Sequence, residues 1–195
     1  MPAHFRVNQF NELVRILVQL ASRLSFGGFL LGGPCGVGKT TLGIRLAKKL
    51  NMVCIDHDEM KSKVGESFLH CSVSRLDLYK CLLKTLELGG HPKTFIFAPG
   101  GDSIFRPGAD NLDRLAQINQ VKDEFGLITV VLTAEEEKLR RRFLLTESRK
   151  PDGFDAIWEN WQNIELPHWA LCADCFIDTS DLALPQEIGA SHPPG

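Results

Sequence analysis

The feature that most constrains this chain is a glycine-rich segment near the N-terminus. The residues that fit the pattern G-x-x-x-x-G-K-[ST] without a mismatch are Gly33, Pro34, Cys35, Gly36, Val37, Gly38, Lys39 and Thr40. Glycines let backbone N–H groups turn inward around phosphate oxygens, and the N-terminus of a following helix adds partial positive charge. In this pattern Lys39 reaches the β- and γ-phosphates, the Thr40 hydroxyl ligates Mg²⁺, and Thr41 follows on the same helix. The segment therefore predicts a site for ATP and Mg²⁺.

Short apolar runs alternate with helical patterns along the rest of the chain. The runs that predict strands are Phe29–Leu31, Val53–Ile55, Thr94–Ala98, Leu127–Leu132 and Cys175–Ile177. Helical spacing predicts helices over residues 5–25, 40–50, 73–88, 109–124, 134–146 and 156–172. This alternation predicts an α/β fold with a five-stranded parallel sheet and helices on both faces. Ligands bind such sheets beyond the carboxyl ends of the strands, where the glycine-rich segment lies.

The length of 195 residues favours a single compact domain. We expect residues 28–188 to form this domain and residues 1–27 to form an amphipathic helix packed on it. Residues 189–195 are expected to be a loose tail. The polar segment at about residues 146–157 is expected to act as a mobile lid.

Charge and cysteine usage narrow the choice of partners. The formal net charge is -2, so neither nucleic acid nor a membrane is an expected partner. The six cysteines show no disulfide framework, which favours reduced thiols in a cytoplasmic protein. Cys172 and Cys175 form one C-x-x-C without a second pair, and we interpret them as one buried and one half-buried thiol. The expected partner is a small-molecule acceptor, and the chain is expected to be a monomer or homodimer.

Two carboxylates follow the second predicted strand. Asp56 and Asp58 are two positions apart on extended chain, so their side chains point the same way. Beside a phosphate loop, Asp56 would hold Mg²⁺ or its waters and Asp58 would accept the proton of an attacking hydroxyl. The alternative is a solvated turn, in which aspartate is common.

A phosphate loop alone does not define a reaction. The chain has no N-K-x-D guanine signature and no strand with a terminal Asp-Glu pair of the motor-ATPase kind. Small kinases remain, either of a metabolite or of a nucleoside or nucleotide. A regulatory nucleotide-binding module with little turnover is the third reading. The intact set of reactive side chains argues against that reading.

The order of motifs along residues 28–188 resembles the shikimate kinase family, within the small P-loop metabolite kinases. The family's D-[ST]-D strand end corresponds to Asp56-His57-Asp58, and its A-T-G-G-G strand end to Ala98-Pro99-Gly100-Gly101-Asp102. Its basic helix and lid arginine are matched by Arg142 and Arg149. The resemblance implies a three-layer P-loop kinase fold, with Arg142 facing the nucleotide and Arg149 stabilising charge on the moving phosphoryl group.

The resemblance departs from the family on the acceptor side. That side would comprise Asp58, Arg75, Gly100, Gly101 and Glu165. Glu165 stands where the family has an arginine that binds the substrate carboxylate, and Asp102 replaces the third glycine. Arg75 corresponds to the family's other substrate arginine, at a shorter spacing from Asp58. These departures predict a phosphoryl acceptor other than shikimate.

Overall fold

The structure is a computed structural model that describes residues 2–22, 27–56, 95–98, 104–145 and 153–183. Its described strands are β1 (Ala3–Arg6), β2 (Gly28–Gly32), β3 (Val53–Asp56), β4 (Phe95–Ala98), β5 (Leu127–Thr133) and β6 (Cys175–Asp178). They form one sheet in the order β1-β6-β5-β2-β4-β3, and every neighbouring pair is parallel. The carboxyl ends of all these strands therefore share one edge of the sheet.

Helices cover both faces of this sheet. The described helices are α1 (Phe10–Ala21), α2 (Lys39–Leu50), α3 (Asn111–Phe125), α4 (Glu136–Leu144), α5 (Gly153–Asn160) and α6 (Leu166–Cys172), with a π-helical turn at Trp161–Glu165. Within that part of the chain, every helix is too short or too polar to cross a membrane.

Among the described residues, two apolar clusters hold the layers together, one on each face of the sheet. Leu31 of β2 packs in a cluster with side chains of α1, α2, α4 and α5. Its neighbour Leu30 packs in a second cluster with side chains of α3, the π-helical turn and α6. Successive strand residues point to opposite faces, so the continuous apolar runs of the sequence become a sheet buried on both sides. The predicted α/β fold with a parallel sheet is thus confirmed.

The predicted number of five strands is wrong, because the N-terminus adds a sixth. Ala3–Arg6 is a strand beside β6, and the helix begins only at Phe10 instead of covering residues 5–25. Phe5 packs against the first cluster and His4 stacks on Phe176, with 5.0 Å between ring centroids. Pairing with a distant strand therefore overrides the helical spacing that these residues also satisfy.

The other predicted strands and helices can be compared with the structure one by one. The five predicted strands are all present with small shifts of their ends. The predicted helix over residues 156–172 begins at Gly153 and contains a π-helical turn. The predicted helix over residues 73–88, the lid residues 146–152 and the tail lie outside the described residues.

The C-x-x-C pair is more deeply placed than the sequence indicated. Cys172 and Cys175 are both buried free thiols, whereas one was expected to be half-buried. Cys172 ends α6 and lies in the second apolar cluster, whereas Cys175 begins β6 and lies in the first, so the two thiols are buried on opposite faces of the sheet. Burial raises the pKa of each thiol to about 12.

Candidate functional site

The glycine-rich segment connects the central strand β2 to α2 at the carboxyl edge of the sheet. Gly33, Gly36 and Gly38 have φ angles of 131°, 81° and 95°, which residues with a side chain rarely adopt. Between them, Val37 is buried and its N–H donates to the Pro34 oxygen over 3.4 Å. The sequence therefore folds locally into the tight loop that the phosphate-binding pattern requires.

Gly33 is also required by close packing against β5. A Cβ atom at Gly33 would lie 2.3 Å from the backbone oxygen of Leu132. At Gly36 the nearest atoms to such a Cβ would belong to α4, with the Leu139 oxygen at 3.7 Å and the Phe143 nitrogen at 3.8 Å. The loop thus lies between the end of β5 and α4, along the stretch of that helix from Leu139 to Phe143.

The side chain of Lys39 folds back over this loop. Its Nζ donates to the Gly33 oxygen over 2.8 Å and to the Pro34 oxygen over 3.0 Å. These two contacts keep the ammonium group above the loop, in a half-buried position. The positive charge therefore lies where phosphate oxygens would be held by the loop.

The first turn of α2 adds further donors beside the lysine. Gly38 is the N-cap in a left-handed conformation and makes no side-chain cap, so the first backbone N–H groups of the helix face the loop. Thr40 is exposed and Thr41 half-buried on this turn. The helix N-terminus, its dipole and Lys39 together form an anion site.

Asp56 lies at the same edge of the sheet, two strands away from the loop. It is the last residue of β3 and pairs with Ala98 of β4, whose strand in turn pairs with β2. Two strand spacings place the backbone of Asp56 about 10 Å from β2. Asp58, Arg75, Gly100, Gly101 and Arg149 lie outside the described residues.

Arg142 is buried inside the fold. Its side chain is 4% exposed, and its Nη2 donates to the Thr179 oxygen over 2.9 Å and to the Leu182 oxygen over 2.7 Å. By contrast, Arg140 on the same helix forms an exposed ion pair with Glu136, over 3.0 Å. Arg142 therefore ties α4 to the segment that follows β6. This is a contact that the sequence did not suggest.

Glu165 lies on the π-helical turn and is only 6% exposed. Its Oε1 accepts a hydrogen bond from Asn160 Nδ2 over 2.7 Å. One turn further on, Trp169 packs its indole face on Gly32, where an added Cβ would meet three ring atoms at 3.0 Å. The π-helical turn is thus linked to the end of β2 through Trp169.

Sequence reasoning missed Arg6 altogether. It is the last residue of β1, opposite Asp178 of β6, and it contacts carboxylates on both β6 and the start of α4. The signal was the alternation of Phe5 and Val7 with polar residues, which is typical of a strand. Its acidic partners lie far along the chain, so the sequence alone did not connect them.

Similarity to known proteins is found in the fold rather than in the sequence. No family model matches the sequence, and no curated protein matches it significantly. The structure of shikimate kinase from Bacteroides thetaiotaomicron is similar with a TM-score of 0.52 and 24% identity, over 84% of this chain and 92% of that chain. Shikimate kinase from Acinetobacter baumannii, in complex with shikimate, has a TM-score of 0.51 and 19% identity, over 87% and 92%.

These similarities define the fold class. The chain has the α/β fold of a small P-loop kinase. Within that class its fold is similar to that of the shikimate kinases, as the order of the sequence motifs predicted.

Proposed function

We propose that this protein is an ATP-dependent phosphotransferase that moves the γ-phosphoryl group of ATP to a small metabolite. The observation that carries the proposal is the position of Lys39 Nζ above the loop, with bonds to Gly33 and Pro34. An ammonium above the loop, beside the first backbone N–H groups of α2, suits the charge that builds up on a phosphoryl group in transfer. The fold, shared with small kinases, supports the same reaction class.

The strand order supports a position for each substrate. From β2 the chain runs outward to β3 on one side of the sheet, and from β5 it runs outward to β6 on the other side. Such a reversal creates a crevice at the carboxyl edge between β2 and β5. We infer that the phosphates of ATP lie on the loop after β2 and that the nucleoside extends toward β5 and β6. The acceptor then lies on the side of β4 and β3, near Asp56 and Asp58.

The chain offers ligands that suit Mg²⁺. Thr40 is exposed on the first turn of α2, and Asp56 ends β3 at the same edge of the sheet. Hydroxyl and carboxylate oxygens are the hard ligands that this cation prefers. When bound, Mg²⁺ neutralises charge on the β- and γ-phosphate oxygens. Thr40 and Asp56 would hold it.

The chain's own residues divide the remaining work. Asp58 would accept the proton of the acceptor hydroxyl while the oxygen of that hydroxyl attacks the γ-phosphorus. Lys39 and Arg149 would stabilise the negative charge, and the part of the predicted lid that precedes α5, residues 146–152, would close over the site and exclude water. Arg75, Gly100, Gly101 and Glu165 are the proposed acceptor contacts. A buried carboxylate at position 165 favours a neutral polyol or an amine-bearing acceptor.

The test is ADP release from ATP and Mg²⁺ with a panel of small acceptors. The panel contains polyols, sugars, amino alcohols, nucleosides and nucleotides, each compared with a reaction without acceptor. Stimulation by a polyol or an amine-bearing compound, lost in Lys39→Ala, is the expected result. Stimulation by nucleosides alone would make the protein a nucleoside kinase. Tight ATP binding without stimulation by any acceptor would favour a regulatory module.

A further inference from the structure

Arg6 contacts three carboxylates at the carboxyl edge of the sheet. Its Nε lies 2.6 Å and its Nη2 3.1 Å from the two oxygens of Asp181, which makes a bidentate pair. Nη2 also lies 3.2 Å from Glu135 Oε1, and Nη1 lies 3.5 Å from Asp178 Oδ2. The three partners belong to the end of β6, the turn after it and the residue before α4. One side chain from β1 thus connects two other elements.

The segment 178–182 is fixed by its own bonds as well. Ser180 donates to Asp178 Oδ1 from its N–H over 2.9 Å and from its hydroxyl over 2.6 Å. The same hydroxyl accepts the N–H of Glu135 over 2.8 Å. On the inner side, Arg142 donates to the oxygens of Thr179 and Leu182. Arg6 and Arg142 therefore hold this segment from opposite sides.

Helix α4 lies between segment 178–182 and the phosphate loop and contacts both. Glu135 precedes α4, and the backbone of α4 at Leu139 and Phe143 faces Gly36 of the loop. A shift of segment 178–182 or of the start of α4 would therefore change the wall of the crevice between β2 and β5. That crevice is where the nucleoside part of ATP lies under the proposed function.

We propose that Arg6 is a positioning residue for nucleotide binding, which it assists by fixing segment 178–182 against α4. The inference rests on the proposed function, because it assumes that the nucleoside lies along this segment. Arg6 lies on β1, at the opposite edge of the sheet from β3 and the proposed acceptor side. Its effect is therefore expected on nucleotide affinity and on no other step. The N-terminal strand then belongs to the nucleotide site as well as to the sheet.

The experiment measures binding of ATP and of inorganic tripolyphosphate by calorimetry, together with KM and kcat for ATP. The variants are Arg6→Gln, which removes the charge, Arg6→Lys, which keeps it, and a swap that combines Arg6→Asp with Asp181→Arg. The matched control is Arg15→Gln on α1, because Arg15 is an exposed arginine whose contact with Glu12 is 4.0 Å long. Thermal unfolding is recorded for every variant.

We expect Arg6→Gln to raise the KM and Kd for ATP about fivefold and to leave kcat unchanged. Tripolyphosphate needs only the loop and Lys39, so its affinity should not change. Arg6→Lys and the charge swap should restore part of the ATP affinity, and the defect should shrink in 1 M NaCl because salt screens exposed ion pairs.

Two results would overturn the inference. If Arg6→Gln lowers thermal stability but binds ATP as the wild type does, Arg6 is structural only. If it weakens ATP and tripolyphosphate equally, it acts on the loop and not on the nucleoside. A wild-type protein that binds neither compound would instead refute the proposed function itself, and the inference with it.

Discussion

The Nζ atom of Lys39 lies 2.8 Å from the backbone oxygen of Gly33, so the lysine of the phosphate loop donates a hydrogen bond to the first glycine of the same loop. These two residues are six positions apart and are separated by the whole turn. The contact places the ammonium over the centre of the loop without burying it fully. From there the group can exchange carbonyl oxygens for phosphate oxygens with a small movement of its side chain.

Replacing this lysine should abolish catalysis without unfolding the protein. We expect Lys39→Ala to lower kcat at least about 100-fold, because it removes a charge that stabilises the transferring phosphoryl group. The melting temperature should stay close to that of the wild type, since Lys39 has no part in either apolar cluster. Lys49→Ala, at the exposed end of the same helix, is the control and should keep full activity. ADP release and thermal unfolding are the measurements.

Gly33 should tolerate no side chain. Gly33→Ala would put a Cβ atom 2.3 Å from the Leu132 oxygen at a φ of 131°, so both a clash and backbone strain oppose it. We expect the free energy of unfolding to fall by about 2–6 kcal/mol, measured by urea denaturation. Gly108→Ala is the matched control, because its φ is 72° and nothing lies within 4 Å of the added atom. It should lose only about 1–2 kcal/mol. Equal losses would show that packing against β5 is unimportant.

The sequence predicted those features that depend on short stretches of chain. The phosphate loop and five of the strands are continuous segments, and the residue pattern that identifies each one lies entirely within the segment. Strand β1 escaped prediction because it has four residues and is stabilised by β6, whose residues are remote in sequence. Arg6 meets Asp181 across 175 positions, a contact that no local pattern encodes. The burial of Arg142 likewise depends on carbonyl groups of the segment after β6, which carry no side-chain signature.

Arg142 should contribute to stability through those carbonyl groups. Arg142→Met leaves the oxygens of Thr179 and Leu182 without their charged donor, so the free energy of unfolding should fall by about 2–3 kcal/mol. Arg141→Met is the control, because Arg141 is the exposed neighbour on the same helix. Urea denaturation of both variants provides the comparison. If the two variants unfold at the same urea concentration, the buried bonds of Arg142 add nothing to stability.

The two buried thiols should make the protein sensitive to alkali. Burial raises the pKa of Cys172 and Cys175 from 9.0 to about 12, so the native state keeps protons that the unfolded chain releases in this range. Their contribution to stability is complete below pH 9 and is lost as the pH rises toward 12. At pH 8, iodoacetamide should label the half-buried Cys35 in the native protein and leave both buried thiols unlabelled until urea is added. Labelling of Cys172 in the native state would contradict the placement of α6 on β6.

Shikimate should be a poor acceptor despite the similarity of the folds. Its carboxylate needs cationic donors, best supplied by arginine, and the resemblance places Glu165 where one of them would stand. Two like charges roughly 4 Å apart repel by about 4 kcal/mol at an effective dielectric of 20, so affinity should fall by orders of magnitude. The measurement is ADP release with saturating shikimate against a reaction without acceptor.

Glu165→Gln keeps an oxygen for the bond from Asn160 but removes the charge, so it should bind shikimate more tightly than the wild type. Glu159→Gln, an exposed carboxylate on α5, is the control and should change nothing. Robust turnover of shikimate by the wild type, or no gain from Glu165→Gln, would show that Glu165 does not face the acceptor.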